Sequence, residues 1–205
     1  MRLPGRPCLS DAHTLVAAEV RTRHRDIYLA VHYAPADVRP ALMALFGLDL
    51  ELAAVVAGTT EAMIGEIRLA WWREALQGLD AGRVPAQPLL QALAGAVLPR
   101  GISGVALAGL EDRWLGLIGS AEVPAAHVAG GGTLFALAAQ LLGGDGAQAQ
   151  RLGAAWAGMT PFAERVATPL RPLLGLHRLA LRPADEPRGS AGRQLRLLAA
   201  VAFGR

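Results

Sequence analysis

VRPALMALFGLDLELAAVV, residues 38–56, carries apolar side chains at Val38, Leu42, Leu45, Leu52 and Val56, a row of three- and four-residue steps interrupted by Asp49. Such spacing lines one face of an α-helix, because residues three and four apart stack above one another. Asp37 stands ahead of the run as an N-cap, and Arg39 and Pro40 fit its first turn, where the missing proline N–H has no helical partner to lose. Upstream, Ser10-Asp11 opens a helix over about 11–31 that Pro35 stops. Downstream, Gly58-Thr59-Thr60 ends the central helix and Glu61 starts another over 61–79, with Met63, Ile67, Ala70 and Trp71 on one stripe. Further helices are expected near 87–98, 102–119, 123–142, 146–158 and 193–203, and the prolines after Thr160 leave room only for short pieces. Ala and Leu dominate and β-branched alternation is missing, so the chain reads as all-α. Residues 1–160 form the helical domain, and 161–205 form a Pro/Arg-rich segment that completes or flanks it.

With 205 residues, 53% of them apolar and 18% charged, the chain can bury a large core and is not disordered. A single cysteine, Cys8, excludes an intramolecular disulfide and a cysteine-based zinc site. Aromatics at 5% and a net charge of +3 give no platform for nucleic acid, so no nucleic-acid partner is expected. Every basic side chain apart from the histidines is an arginine, and the charge is unevenly placed. Residues 1–159 hold 12 arginines against 14 acids, whereas 160–205 hold 8 against 3. That basic C-terminal segment is suited to phosphate or anionic lipid headgroups, giving an expected membrane-surface contact. The N-terminus lacks the apolar core of a secretory signal, so a cytoplasmic location, peripheral on the inner membrane face, is expected. Residues 123–144 are uncharged over 22 positions, but Pro124, His127, Gly130-Gly131-Gly132 and Gln140 dilute them. They read as a turn and glycine loop followed by a buried helix, not a membrane span.

A helix brings two metal-binding carboxylates together by spacing them three or four apart. None of the 17 acids has another acid at that spacing, and no histidine has an acid or histidine there. Asp49 and Glu51, two apart, point about 200° away from each other on a helix. The sequence also lacks a phosphate loop, a dinucleotide fingerprint and a serine nucleophile elbow. GEIRLAWWREAL, residues 65–76, is more specific. Adjacent tryptophans cannot share a helix face, so one packs in the core and the other beside Arg68.

Arg25-Asp26-Ile27-Tyr28, Ala34-Pro35, the Ala44–Ala53 block and the 65–76 segment, in this order, resemble the N-terminal half of the squalene/phytoene synthase family, in its divergent branch. The resemblance implies an isoprenoid-synthase-like helical bundle, shortened at the C-terminus. Active members join two prenyl diphosphates through magnesium ions held by D-x-x-x-D motifs. Here the first motif falls at Glu51 and Val55, and the second region, Ala157–Ala167, keeps only Glu164. Valine offers magnesium no oxygen. The resemblance therefore implies a degenerate, non-catalytic member without a metal site, binding an isoprenoid or lipid or serving in respiratory-complex assembly with a protein partner. Two alternatives stand beside it. One is an active prenyltransferase using magnesium, and the other is a helical interaction scaffold without ligand. The candidate substrate-binding residues are Arg25, Tyr28, Asp49, Glu51, Arg68 and Arg73, with none assigned as catalytic or metal-binding.

Overall fold

The computed structural model describes residues 9–183 and 185–204, so Cys8 lies outside the described residues. Among the described residues every regular element is helical. The central helix, α3 (Arg39–Ala57), is the apolar row of the sequence made solid. Leu42, Leu45, Phe46, Leu48, Leu52 and Val55 are all buried, and Asp49 is buried among them. α1 (Leu9–Arg23) and α5 (Pro88–Ala96) lie across one side of it, where Gly47 leaves room for Val16 and Leu89.

α8 (Ala125–Leu142) and α9 (Gly146–Ala157) form a tight hairpin on the other side of α3. Phe46 of α3 meets Phe135 of α8 edge-on at 6.2 Å, and Phe135 stacks on Trp156 of α9 at 5.1 Å. The glycine run 130–132 is not a loop but lies inside α8. A side chain at Gly131 would strike Ala157 and the Gly153 carbonyl, and one at Gly132 would strike the Gln150 carbonyl. The run is glycine because two helix backbones approach there, which outweighs glycine's poor helix propensity. α3 and α8 are each long and apolar enough to cross a membrane, but both contribute to the core, and no membrane-spanning role follows from length alone.

The helix expected over 11–31 breaks at His24, whose extended backbone (φ −148°) and ring nitrogen cap a second helix, α2 (Arg25–Val31). α4 (Ala62–Leu79) forms as expected, but the stripe chosen for it is the solvent face. Met63, Ile67 and Trp71 are exposed, while Gly65, Leu69, Trp72 and Leu76 are buried. Both faces carry apolar residues at helical spacing, so period alone could not choose between them. Trp72 fills the core and Trp71 lies outside it, their rings 5.2 Å apart.

The helix expected over 102–119 is fragmented into α6 (Gly104–Ala108), a 3₁₀ turn, and α7 (Asp112–Leu115). Asp80 fixes where α6 starts. Its carboxylate accepts from the Gly104 and Val105 N–H groups at 2.6 and 3.0 Å, capping α6 from the end of α4. After Thr160 come α10 (Arg171–Ala180) and α11 (Ala191–Phe203). α10 buries Leu173, Leu174, Leu176 and Leu179 against α2 and α9, and α11 packs on α10.

Candidate functional site

α3 carries Asp49 into the interior at 3% exposure, facing α7. Arg113 Nη1 donates to its Oδ1 at 3.0 Å, and Trp114 Nε1 donates to the same oxygen at 3.0 Å. Arg113 is itself 2% exposed, with its guanidinium 4.8 Å from the Trp114 ring centre and 5.3 Å from that of Trp156. Gly130 of α8 makes the space, since a side chain there would strike the Arg113 stem. Arg113 Nη2 also lies 3.2 Å from His127 Nε2, and His127 Nδ1 lies 3.0 Å from the Arg113 carbonyl. Those partners fit a neutral imidazole that donates through Nδ1 and accepts at Nε2. Burial, then the Arg113 charge, lowers the His127 pKa and keeps that ring neutral. Burial also raises the Asp49 pKa and lowers that of Arg113, while their mutual attraction opposes both shifts.

This network forms one wall of a cleft of about 390 Å³ between α7, α8, α9 and the α10–α11 connection. Four arginines line the cleft (113, 182, 188 and 193) against two carboxylates, Asp26 and Glu186. Arg193 holds Asp26 through Nε and Nη2 at 3.0 and 2.6 Å and also donates to the Leu179 carbonyl at 2.9 Å. Arg182 holds Glu186 at 2.7 Å, and Arg188 reaches the Arg23 carbonyl at 3.5 Å. His24 is pushed down to about 4 by burial and then by Arg188. With Asp49 counted against Arg113, three of the four arginines are paired and Arg188 is left with a carbonyl partner, a net of one positive charge beside the flat apolar walls of Trp114 and Trp156. Such a site can hold an amphiphile with an anionic head without a metal ion.

The six residues singled out in the sequence do not converge. Asp49 alone lies beside this cleft. Glu51 turns to the opposite side of α3, where Arg23 holds it at 2.8 Å beside an apolar groove of about 310 Å³. Tyr28 packs on His32 at 4.3 Å in a third groove between α1, α2 and α3. Arg25 is exposed, and its neighbour Asp26 is the inward-facing member of that pair. Arg68 is exposed on α4, and Arg73 is tied to Glu111 and, at 3.4 Å, to Asp112. Sequence reasoning missed Arg113, Trp114, His127, Trp156 and Arg193. They come from four separate helices, and the one local hint was a glycine run able to admit a large side chain.

Magnesium does not fit these residues. The Asp49 Oδ1 is engaged by two donors, Glu51 is paired with Arg23, and Val55 is buried where a second carboxylate would stand. Glu164, in the second region, lies in a two-pronged pair with Arg151 at 2.8 Å for each prong. Among the described residues, no three His, Cys, Asp or Glu side chains gather to hold a metal ion.

Residues 20–110 match the squalene/phytoene synthase family model, and over that segment the chain is similar to the family. The chain is also similar to NADH dehydrogenase (ubiquinone) complex I, assembly factor 6, of Rattus norvegicus. The two are 31% identical over 91 residues, which is 44% of this chain and 27% of the rat protein. The chain thus spans about a quarter of the length of that relative. No solved structure gives a match.

Proposed function

We propose that this chain is a non-catalytic member of the squalene/phytoene synthase group, acting as an assembly-type scaffold for a protein partner. Its cationic cleft would be kept for an isoprenoid or lipid with an anionic head. The observation that carries this reading is the closed pairing of Asp49 with Arg113 and Trp114. A buried carboxylate held by the buried Arg113 and by the half-buried Trp114 N–H cannot turn to a magnesium ion without leaving Arg113 buried and unpaired, at a cost of several kcal/mol. Joining two prenyl diphosphates needs metal charge to stabilise the diphosphate that leaves, and the residues at both expected motif positions offer no free carboxylate pair to hold the ion. The likeness to a complex I assembly factor supports the assembly role, with a respiratory NADH dehydrogenase as the complex served.

The test is calorimetric titration with farnesyl and geranylgeranyl diphosphate, with and without magnesium, while pyrophosphate release is followed in the same samples. The reading expects binding that is indifferent to magnesium and yields no pyrophosphate. Magnesium-dependent release would overturn the non-catalytic reading in favour of a prenyltransferase. Absence of binding under both conditions would overturn the ligand-holding role of the cleft.

A further inference from the structure

We propose that the outer face of α11 docks this protein on an anionic lipid bilayer, independently of what the cleft holds. α11 has two apolar faces. Leu197 and Ala200, with Arg193, turn inward, while Leu195, Leu198 and Phe203 are 66%, 49% and 61% exposed. Positions 195, 198, 199, 202 and 203 fall on one helical stripe, and all are Leu, Ala or Phe. Interfacial helices of this type bury such a stripe at the headgroup boundary and draw affinity from flanking arginines.

The charge carried by α11 itself is of one sign. No acid occurs in residues 187–205, and Arg196 is exposed at the border of the stripe. Arg165 lies at the Phe203 end, because the Val166 N–H donates to the Gly204 carbonyl at 2.9 Å. Arg171 joins it there, donating to the Val201 and Ala202 carbonyls at 3.0 and 2.9 Å. Of the nearby acids, Glu164 is held by Arg151 and Glu186 by Arg182. An anionic bilayer complements this surface. A second copy of the chain does not, since two such faces would set arginines against arginines. Another exposed apolar stripe, Met63, Ile67 and Trp71 on α4, is bordered by Glu66 and Glu74 as well as by Arg68, and its acids make it less suited to an anionic surface.

The full chain would be co-sedimented with large unilamellar vesicles of phosphatidylcholine, with and without phosphatidylglycerol, over a range of sodium chloride. Binding is expected only with phosphatidylglycerol and should weaken as salt rises. Arg196→Glu should lower the partition coefficient about thirtyfold, as two unit charges of change at the surface imply. Leu195→Glu with Leu198→Glu should abolish binding, and Met63→Glu should leave it at the wild-type level. All four positions are exposed, and circular dichroism confirms that each variant is folded. The proposal is overturned if vesicles without phosphatidylglycerol bind equally, if no vesicles bind, or if the α11 variants bind like wild type. A wild-type dimer that Leu198→Glu splits, with no vesicle binding, would also overturn it.

Discussion

Arg113→Met is the substitution that most directly tests the account of the cleft. Methionine keeps most of the buried stem beside Gly130 but removes the guanidinium that holds Asp49 at 3.0 Å and lies over Trp114 and Trp156. Asp49 would keep the Trp114 N–H and lose its counter-charge at 3% exposure. Breaking one side of a buried pair costs about 3–5 kcal/mol, chiefly for the charge left behind. In a chain of this size that corresponds to a fall of about 10–15 °C in Tm. The double variant Asp49→Leu, Arg113→Met removes both charges and should return to within about 2 kcal/mol of wild type, because an apolar pair of similar volume has no charge to desolvate. Urea denaturation of the wild type, both single variants and the double variant gives the coupling energy directly. A loss below about 1 kcal/mol for Arg113→Met, with additive single effects, would refute the locked pair. It would also free Asp49 for other chemistry.

Two further outcomes follow from the packing and from a buried ring. Trp72→Ala should cost about 3–5 kcal/mol in denaturation experiments, because it empties a core position, whereas the exposed neighbour Trp71→Ala should cost less than about 1 kcal/mol. His177 is fully buried, neither ring nitrogen has a hydrogen-bond partner, and burial followed by Arg178 lowers its pKa from 6.5 to about 4. The unfolded chain therefore binds the extra proton first. Stability should be full above about pH 6.5 and decline as pH falls toward 4, by about 3 kcal/mol from this group. Chemical denaturation at stepped pH, with His177→Phe as comparison, should show a shallower acid decline in the variant, and an unchanged decline would assign it elsewhere.

The parts legible in the sequence were those set by neighbours along the chain. The row from Val38 to Val56 gave α3, because helical stacking joins residues three and four apart whatever lies beyond them. The missing acid pairs were legible for the same reason, since Glu51 and Val55 occupy one face of one helix. The 65–76 segment carried the family resemblance for a related reason, being a local pattern on a single helix. Where two local signals competed, the sequence was silent. On α4, Met63, Ile67 and Trp71 are as well spaced as Leu69, Trp72 and Leu76, and only the approach of neighbouring helices decided which set was buried.

Tertiary structure alone brought Asp49 to Arg113, 64 positions away, and Asp26 to Arg193, 167 positions away. Partner choice between distant charges depends on which helices share a desolvated interface, and no periodicity along the chain encodes that. Tertiary packing also turned Gly130-Gly131-Gly132 from an apparent loop into the contact surface of α8, since α9 and Arg113 fill the space that side chains would need. The local code thus determined a helical chain without metal pairs. The packing of those helices determined that the acid remaining in its centre is neutralised by an arginine, because a charge buried that deeply must find its partner inside the protein.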